Sequence, residues 1–243
     1  MKKIENPDIV LDRKADDADG GWRSMAKTFE TFVVKPTIHL AHHAAMQICQ
    51  APDSNHLLYF YGASGVGKTH LLMAIADRFR KDGKSVRYLS CQQFYDEMID
   101  AIRNGTNAEF RMKYHEADLV LLDDLQSIDG KETTQSELFS ILAKRLREHK
   151  QTVCAGSVLP PRIALWNCEL ASCLNSGLCI EMQAPNHEET AEIVANKLKE
   201  HGMIWPEEAC RYVAMNIARG HNQIDGEINK IVFLNGLDKK VIA

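Results

Sequence analysis

No stretch of this 243-residue chain is long and apolar enough to span a bilayer, and its N-terminus lacks the apolar core of a secretion signal. A cytoplasmic location is the expectation that follows. Positive charge is not in excess either. Against 29 lysines and arginines stand 33 aspartates and glutamates, a net charge of −4, so any contact with nucleic acid must come from a local patch. Cysteine pairs at metal spacing are also missing. The seven cysteines are odd in number, and Cys168, Cys173 and Cys179 are separated by four and five residues rather than two. Reduced, mostly buried thiols are expected. His39, His42 and His43 have no carboxylate or thiol at ligand spacing, so they read as structural or solvated. What remains, 45% apolar and 26% charged, is an ordinary globular composition for one large domain, or one domain with an appendage.

The most informative stretch is an apolar run, Leu57 to Tyr61, that leads directly into Gly62-Ala63-Ser64-Gly65-Val66-Gly67-Lys68-Thr69. The run reads as a strand, and the spacing G-x-x-x-x-G-K-T reads as a phosphate loop. Its glycines let backbone N–H groups curl around a β-phosphate, Lys68 reaches the β- and γ-phosphates, and the Thr69 hydroxyl is a Mg²⁺ ligand. From His70 to Phe79 the pattern is helical, and the N-terminal N–H groups of that helix add to the same anion site. A nucleotide, ATP or ADP, with Mg²⁺ is the ligand this arrangement predicts.

A second chemical signal is Ala117 to Asp124, an unbroken apolar run ending in two carboxylates. Such continuous apolarity belongs to a strand buried on both faces of a parallel sheet, and ligands bind beyond the C-terminal ends of such strands. Asp123 is therefore expected to hold Mg²⁺ through water, and Asp124 to orient or deprotonate the attacking water. Elsewhere strands and helices alternate. A helix is expected over Thr37 to Gln50, with Leu40, Ala44 and Ile48 on its apolar face, and a strand over Val86 to Ser90. Helices over Gln92 to Asn104 and Asn107 to His115 carry Phe94, Met98, Ile99, Ile102, Phe110 and Tyr114 at helical spacing. Thr134 to Lys150 reads as a helix whose Lys144-Arg145-Leu146-Arg147 run forms a solvated face. A strand over Thr152 to Ser157 ends in a polar side chain able to sense a γ-phosphate, and Leu178 to Met182 reads as the last strand. Beyond Pro185 the pattern is purely helical: His187 to His201, Pro206 to Ala218 and Asn222 to Leu234.

The expected organisation is a flexible, charged arm at 1–25, an α/β nucleotide-binding unit at 26–184 and a helical lid at 185–243. The parallel sheet would be sandwiched by helices, with the lid closing over the nucleotide.

These motifs resemble the AAA+ domain of the bacterial replication initiator DnaA and its paralogues, such as the regulatory Hda proteins. The resemblance rests on Thr28-Phe-Glu-Thr-Phe-Val-Val with Leu40-Ala-His, on Gly67-Lys-Thr-His-Leu-Leu, on Phe94 through Tyr114, on Leu121-Leu-Asp-Asp-Leu-Gln-Ser-Ile-Asp-Gly-Lys-Glu-Thr-Thr-Gln, and on Pro160-Pro161. It implies an AAA+ P-loop NTPase fold, with the paired helices Gln92 to His115 corresponding to an insertion that contributes to single-stranded DNA binding and filament packing. Implied partners are a DnaA-type initiator, a replicative helicase or another AAA+ protein, and an oligomer is permitted.

The chain also departs from that family. Ser157-Val158-Leu159 stands where the family has Asp before Arg-Pro-Pro. Glu169 to Leu178 contains no arginine where the family supplies a finger to a neighbour's γ-phosphate, and the lid arginine position is read as Ile224. No duplex-reading helix-turn-helix follows within these residues. Loss of both arginine elements favours an accessory or regulatory factor of replication initiation with at most slow ATPase activity. The alternative is an active helicase loader or transposase-helper-like remodelling factor. A small-molecule kinase would need arginines near a substrate lid, and none are suitably placed. Between Phe94 and His115 three basic residues face four acidic ones, so at most weak, salt-sensitive single-strand binding is expected.

Overall fold

The computed structural model describes residues 27–32, 34–51, 56–160, 167–217, 224 and 226–234, and the arm read at 1–25 lies outside them. Five strands form one parallel sheet: β1 (Leu57–Tyr61), β2 (Val86–Ser90), β3 (Leu119–Asp123), β4 (Gln151–Gly156) and β5 (Leu178–Glu181), in the order β2-β3-β4-β1-β5. All four pairings are parallel. Strand alternation sorts the core into two layers. Leu57, Tyr59, Val120, Leu122 and Cys154 face α3 (Cys91–Asn104), α4 (Asn107–Glu116), α5 (Glu132–Arg147) and α6 (Cys168–Ser176). Leu58, Phe60, Leu119, Leu121, Val153 and Ala155 face α1 (His39–Gln50) and α2 (Lys68–Lys81). Burial on both faces explains why β3 reads as a continuous apolar run, and each such Leu or Phe contributes about 1.5–3 kcal/mol.

A third, separate core belongs to the lid. Helices α7 (His187–Glu200) and α8 (Glu207–Asn216), with helical residues at 224 and 226–234, bury Ile193, Val194, Leu198, Cys210, Ile224 and Ile228 together. Asn186 and Glu189 start α7 with a reciprocal capping box. Glu189 also accepts the Thr37 hydroxyl at 3.2 Å, and Lys35 pairs with Glu192, so α7 is tied to the segment before α1.

Several expectations are corrected by the packing. Leu40 is exposed, because α1 approaches the sheet through Ala41, Ala44, Ala45 and Ile48. Ile102 is exposed at the last turn of α3. Helix α5 begins at Glu132 and ends before His149, whose φ of +54° breaks it short of Lys150. Arg145 is fully buried rather than solvated. β4 runs one residue earlier than expected, so Ser157 lies just beyond the strand. All seven cysteines are free thiols; Cys91, Cys154 and Cys210 are buried, but Cys168 is exposed at the start of α6. His42 packs between Phe29 and Phe32 at ring-centroid distances of 5.6 and 5.7 Å.

Candidate functional site

The sheet topology brings the C-terminal ends of β1, β3 and β4 side by side, and the phosphate loop, the two carboxylates and Ser157 leave from them. Gly62 opens the loop where no side chain fits: a Cβ there would lie 2.1 Å from the Met182 carbonyl oxygen, at φ +152°. Gly67, at φ +102°, is the N-cap of α2, and no side chain caps that helix end. Its first N–H groups therefore have neither a capping side chain nor an acidic residue in the first turn, as an anion site requires.

Lys68 begins α2 and is buried. Its ammonium donates to the carbonyls of Gly62 at 2.6 Å and Ala63 at 2.8 Å. Burial pulls its pKa below the usual lysine range, opposed by the charges of Asp123 and Asp124. At the next position, the Thr69 hydroxyl donates to Asp123 Oδ2 at 2.6 Å. Asp123 is buried at the end of β3, and burial raises its pKa although Thr69, the Asp124 N–H and Tyr88 all donate to it. A buried carboxylate beside a threonine hydroxyl is an oxygen donor set suited to Mg²⁺.

Asp124 takes the left-handed conformation, φ +54° and ψ +51°, as it leaves β3. Such backbone costs about 1–2 kcal/mol, least for Asp and Asn, and here it turns the carboxylate into the cleft. Gln126 fixes it: Nε2 donates to Asp124 Oδ1 at 2.9 Å, while Oε1 accepts the Ser157 N–H at 3.1 Å. The three residues form one wall of a cleft of about 410 Å³. Ser64, Gly65, Gly67, Lys68, Thr69 and His70 line it as well. The His70 ring itself turns to the preceding segment, with Nε2 3.1 Å from the Thr28 carbonyl and the ring edge-on to Phe32.

Sequence reasoning missed four contributors. Gln126 stands two residues after Asp124, within helical-turn reach, and Tyr88 stands in the middle of β2, the strand that pairs with β3; both positions were signals. Lys27 and Lys197 also line the cleft, and they come from distant segments that no local pattern connects. The position read as the lid arginine, Ile224, is instead fully buried in the lid's own core. It is a packing position, not one that reads a nucleotide.

The comparisons with known proteins agree with this geometry. The family model for the bacterial DnaA ATPase domain matches residues 24–181. The chromosomal replication initiator DnaA of Lachnoclostridium phytofermentans is 36% identical over 221 residues, 88% of this chain and 49% of the relative. That of Thermus thermophilus is 34% identical over 87% of this chain and 50% of its own length. The chain thus spans about half the length of the curated relatives it matches. Among solved structures, a replication initiator DnaA bound to AMPPCP and single-stranded DNA superposes with a TM-score of 0.80 at 32% identity, over 88% of this chain and 67% of that one. Domain III of Thermotoga maritima DnaA gives 0.80 at 30% identity, covering 88% and 90%. The DnaC helicase loader, at 18% identity and 0.55, shares the fold. With the family model matching most of the α/β unit, relatives above 30% identity over most of the chain, and a TM-score of 0.80 to DnaA structures, the chain belongs to the bacterial DnaA ATPase-domain family and has its AAA+ P-loop NTPase fold.

Proposed function

We propose that this protein binds ATP or ADP with Mg²⁺ and acts as an accessory or regulatory factor in replication initiation, through a DnaA-type initiator, a replicative helicase or another AAA+ protein. The backbone from Gly62 to His70, with Lys68, holds the phosphates. Thr69 and Asp123 would hold Mg²⁺, which neutralises charge on the β- and γ-phosphates. Asp124, aimed by Gln126, orients or deprotonates water, and Ser157 stands where a γ-phosphate would be sensed.

The observation that carries the regulatory reading is helix α6. Its exposed face consists of Cys168, Glu169, Ser172, Asn175 and Ser176, so it presents no cation to a neighbouring copy. A site that is complete for binding but lacks this arginine suits a protein that holds nucleotide and acts on a partner. Strong binding of single strands by α3 and α4 is disfavoured. Phe94, Phe110 and Tyr114 are buried against one another at centroid distances of 5.0–5.4 Å, and Arg111 is engaged by Glu137 through two bonds of 2.6 and 2.7 Å.

Affinity isolation of the tagged protein from its host, followed by extraction of bound nucleotide, tests the proposal. The expected recovery is an adenine nucleotide in near-stoichiometric amount together with an initiator- or helicase-type partner. Recovery of neither would contradict the reading. A processive motor purified without a partner would favour the loader alternative.

A further inference from the structure

Residues 27–32 lie against the start of α2 as a short turn rather than as a strand or helix. Thr31 closes the turn on itself: its hydroxyl accepts the Thr28 N–H at 3.0 Å and donates to the Thr28 carbonyl at 3.2 Å. Its phenylalanines anchor it. Phe32 is buried in the core shared by the sheet, α1 and α2, and Phe29 packs against the same cluster.

The phosphate loop meets this turn directly. A Cβ placed on Gly67 would come within 3.3 Å of Phe32 Cε2, so the Phe32 ring backs the residue that caps α2 at φ +102°. At the other end of the turn, Lys27 lines the nucleotide cleft. His70 ties the two together. Its Nε2 lies 3.1 Å from the Thr28 carbonyl and 3.3 Å from Thr31 Oγ1, and its ring stands edge-on to Phe32 at 5.1 Å. A carbonyl only accepts, so Nε2 carries the proton and donates to this segment. Burial lowers the His70 pKa, opposed by the bond to the Thr28 carbonyl and reinforced by Lys27, so the ring is neutral at pH 7. The residue is thus used twice. Its backbone belongs to the first turn of α2, while its side chain holds residues 27–32 against the same loop.

We infer that His70 is a positioning residue that straps residues 27–32 onto the phosphate loop, so that nucleotide binding and the order of this segment are coupled. This rests on the nucleotide-binding reading above. A loop already backed by Phe32 binds phosphate without first having to be ordered, and linkage is reciprocal, so phosphate that fixes Gly67 also fixes the turn behind it.

The test combines amide hydrogen exchange of the full chain, with and without ATP, and calorimetric titration of wild type, His70→Ala, His70→Gln and His43→Ala. In wild type, ATP should slow exchange over residues 27–32 by about tenfold or more. His70→Ala should remove that protection and weaken ATP and ADP alike by about three- to tenfold, the worth of one neutral hydrogen bond with its packing. His70→Gln, whose amide can donate to the same carbonyl, should restore most of both. His43→Ala, on the exposed side of α1, should change neither. Exchange over residues 27–32 that is indifferent to ATP in wild type, or an unchanged Kd in His70→Ala, would overturn this inference while leaving nucleotide binding intact. A drop in binding stoichiometry alone, the mark of misfolding, leaves Kd unchanged and counts against it too. A wild-type chain that bound no ATP would overturn both readings.

Discussion

Lys68→Ala is expected to weaken ATP and ADP binding by at least about 30-fold while leaving the ligand-free protein folded. The side chain is buried beside the loop, and its ammonium is held in place by two backbone carbonyls at 2.6 and 2.8 Å. Truncating one side of a desolvated charge pair costs about 2–5 kcal/mol, which corresponds to a loss of roughly 30- to 5,000-fold in affinity. Ligand-free stability should change little, because burial already disfavours the charged form of Lys68. Thermal melting separates the two effects. Saturation of wild type at 100 times Kd adds about 2.7 kcal/mol, or roughly 5–10 °C for a chain of this size. In Lys68→Ala that shift should fall to about a third or less at the same nucleotide concentration, with the ligand-free midpoint within a few degrees of wild type. An undiminished shift would contradict the assignment of the loop.

Arg145→Leu should produce the largest loss of stability of any single surface-like substitution in the chain. Its guanidinium is fully buried between α4, α5 and the sheet, where it donates to the carbonyls of Tyr114, Ala117 and Gln151 and to the Thr152 hydroxyl. The bonds to Ala117, Gln151 and Thr152 are 2.9, 2.6 and 2.9 Å. Burial lowers its pKa to about 10, so it stays charged at neutral pH. Leucine fills part of the volume but leaves several buried carbonyls without a donor, each costing about 1–3 kcal/mol. A total of roughly 3–5 kcal/mol is expected, against a whole-domain stability of about 5–15 kcal/mol. Lys is no substitute, because one ammonium cannot match the planar fork. Urea denaturation checks this, and a loss under about 1 kcal/mol would show that the network is dispensable.

Arg145 also shows where the sequence stops being legible. A Lys-Arg-Leu-Arg run at a helix C-terminus matches the pattern of charges that complement the helix dipole, and nothing local marks its second member as a core residue. Only the meeting of the α4 C-terminus with the start of β4 creates carbonyls that need it. By contrast, β1 and β2 were readable to the residue: β1 is an apolar run of five ending at Gly62, and β2 is a short β-branched and aromatic segment set off by the turn at Asp82 to Ser85. Leu40 misled for a simple reason: α1 packs closely through alanines, so its buried stripe is offset from its largest residue.

Helix α6 carried a signal that a search for arginines passes over. Asn167 caps it by accepting the Glu169 N–H at 2.7 Å, and Leu170 and Leu174 follow at helical spacing. In the candidate site, the phosphate loop and both carboxylates were legible because their chemistry demands contiguous residues. Gln126, Tyr88 and Lys197 were less so. Their positions depend on which strand ends and which lid helix the topology places around the cleft.

The central proposal is that this DnaA-type unit holds nucleotide with a complete phosphate loop while its helix α6, among the described residues, presents no arginine to a neighbouring copy to accelerate hydrolysis. An arginine inserted at a γ-phosphate is worth about 10³–10⁵ in rate, and the exposed face of α6 offers none. Steady-state ATP turnover of the purified chain, measured per molecule across a wide range of protein concentration, tests this most directly. The account predicts a low specific rate that stays flat as concentration rises. A specific rate that climbs steeply with concentration, in the absence of any partner, would contradict it.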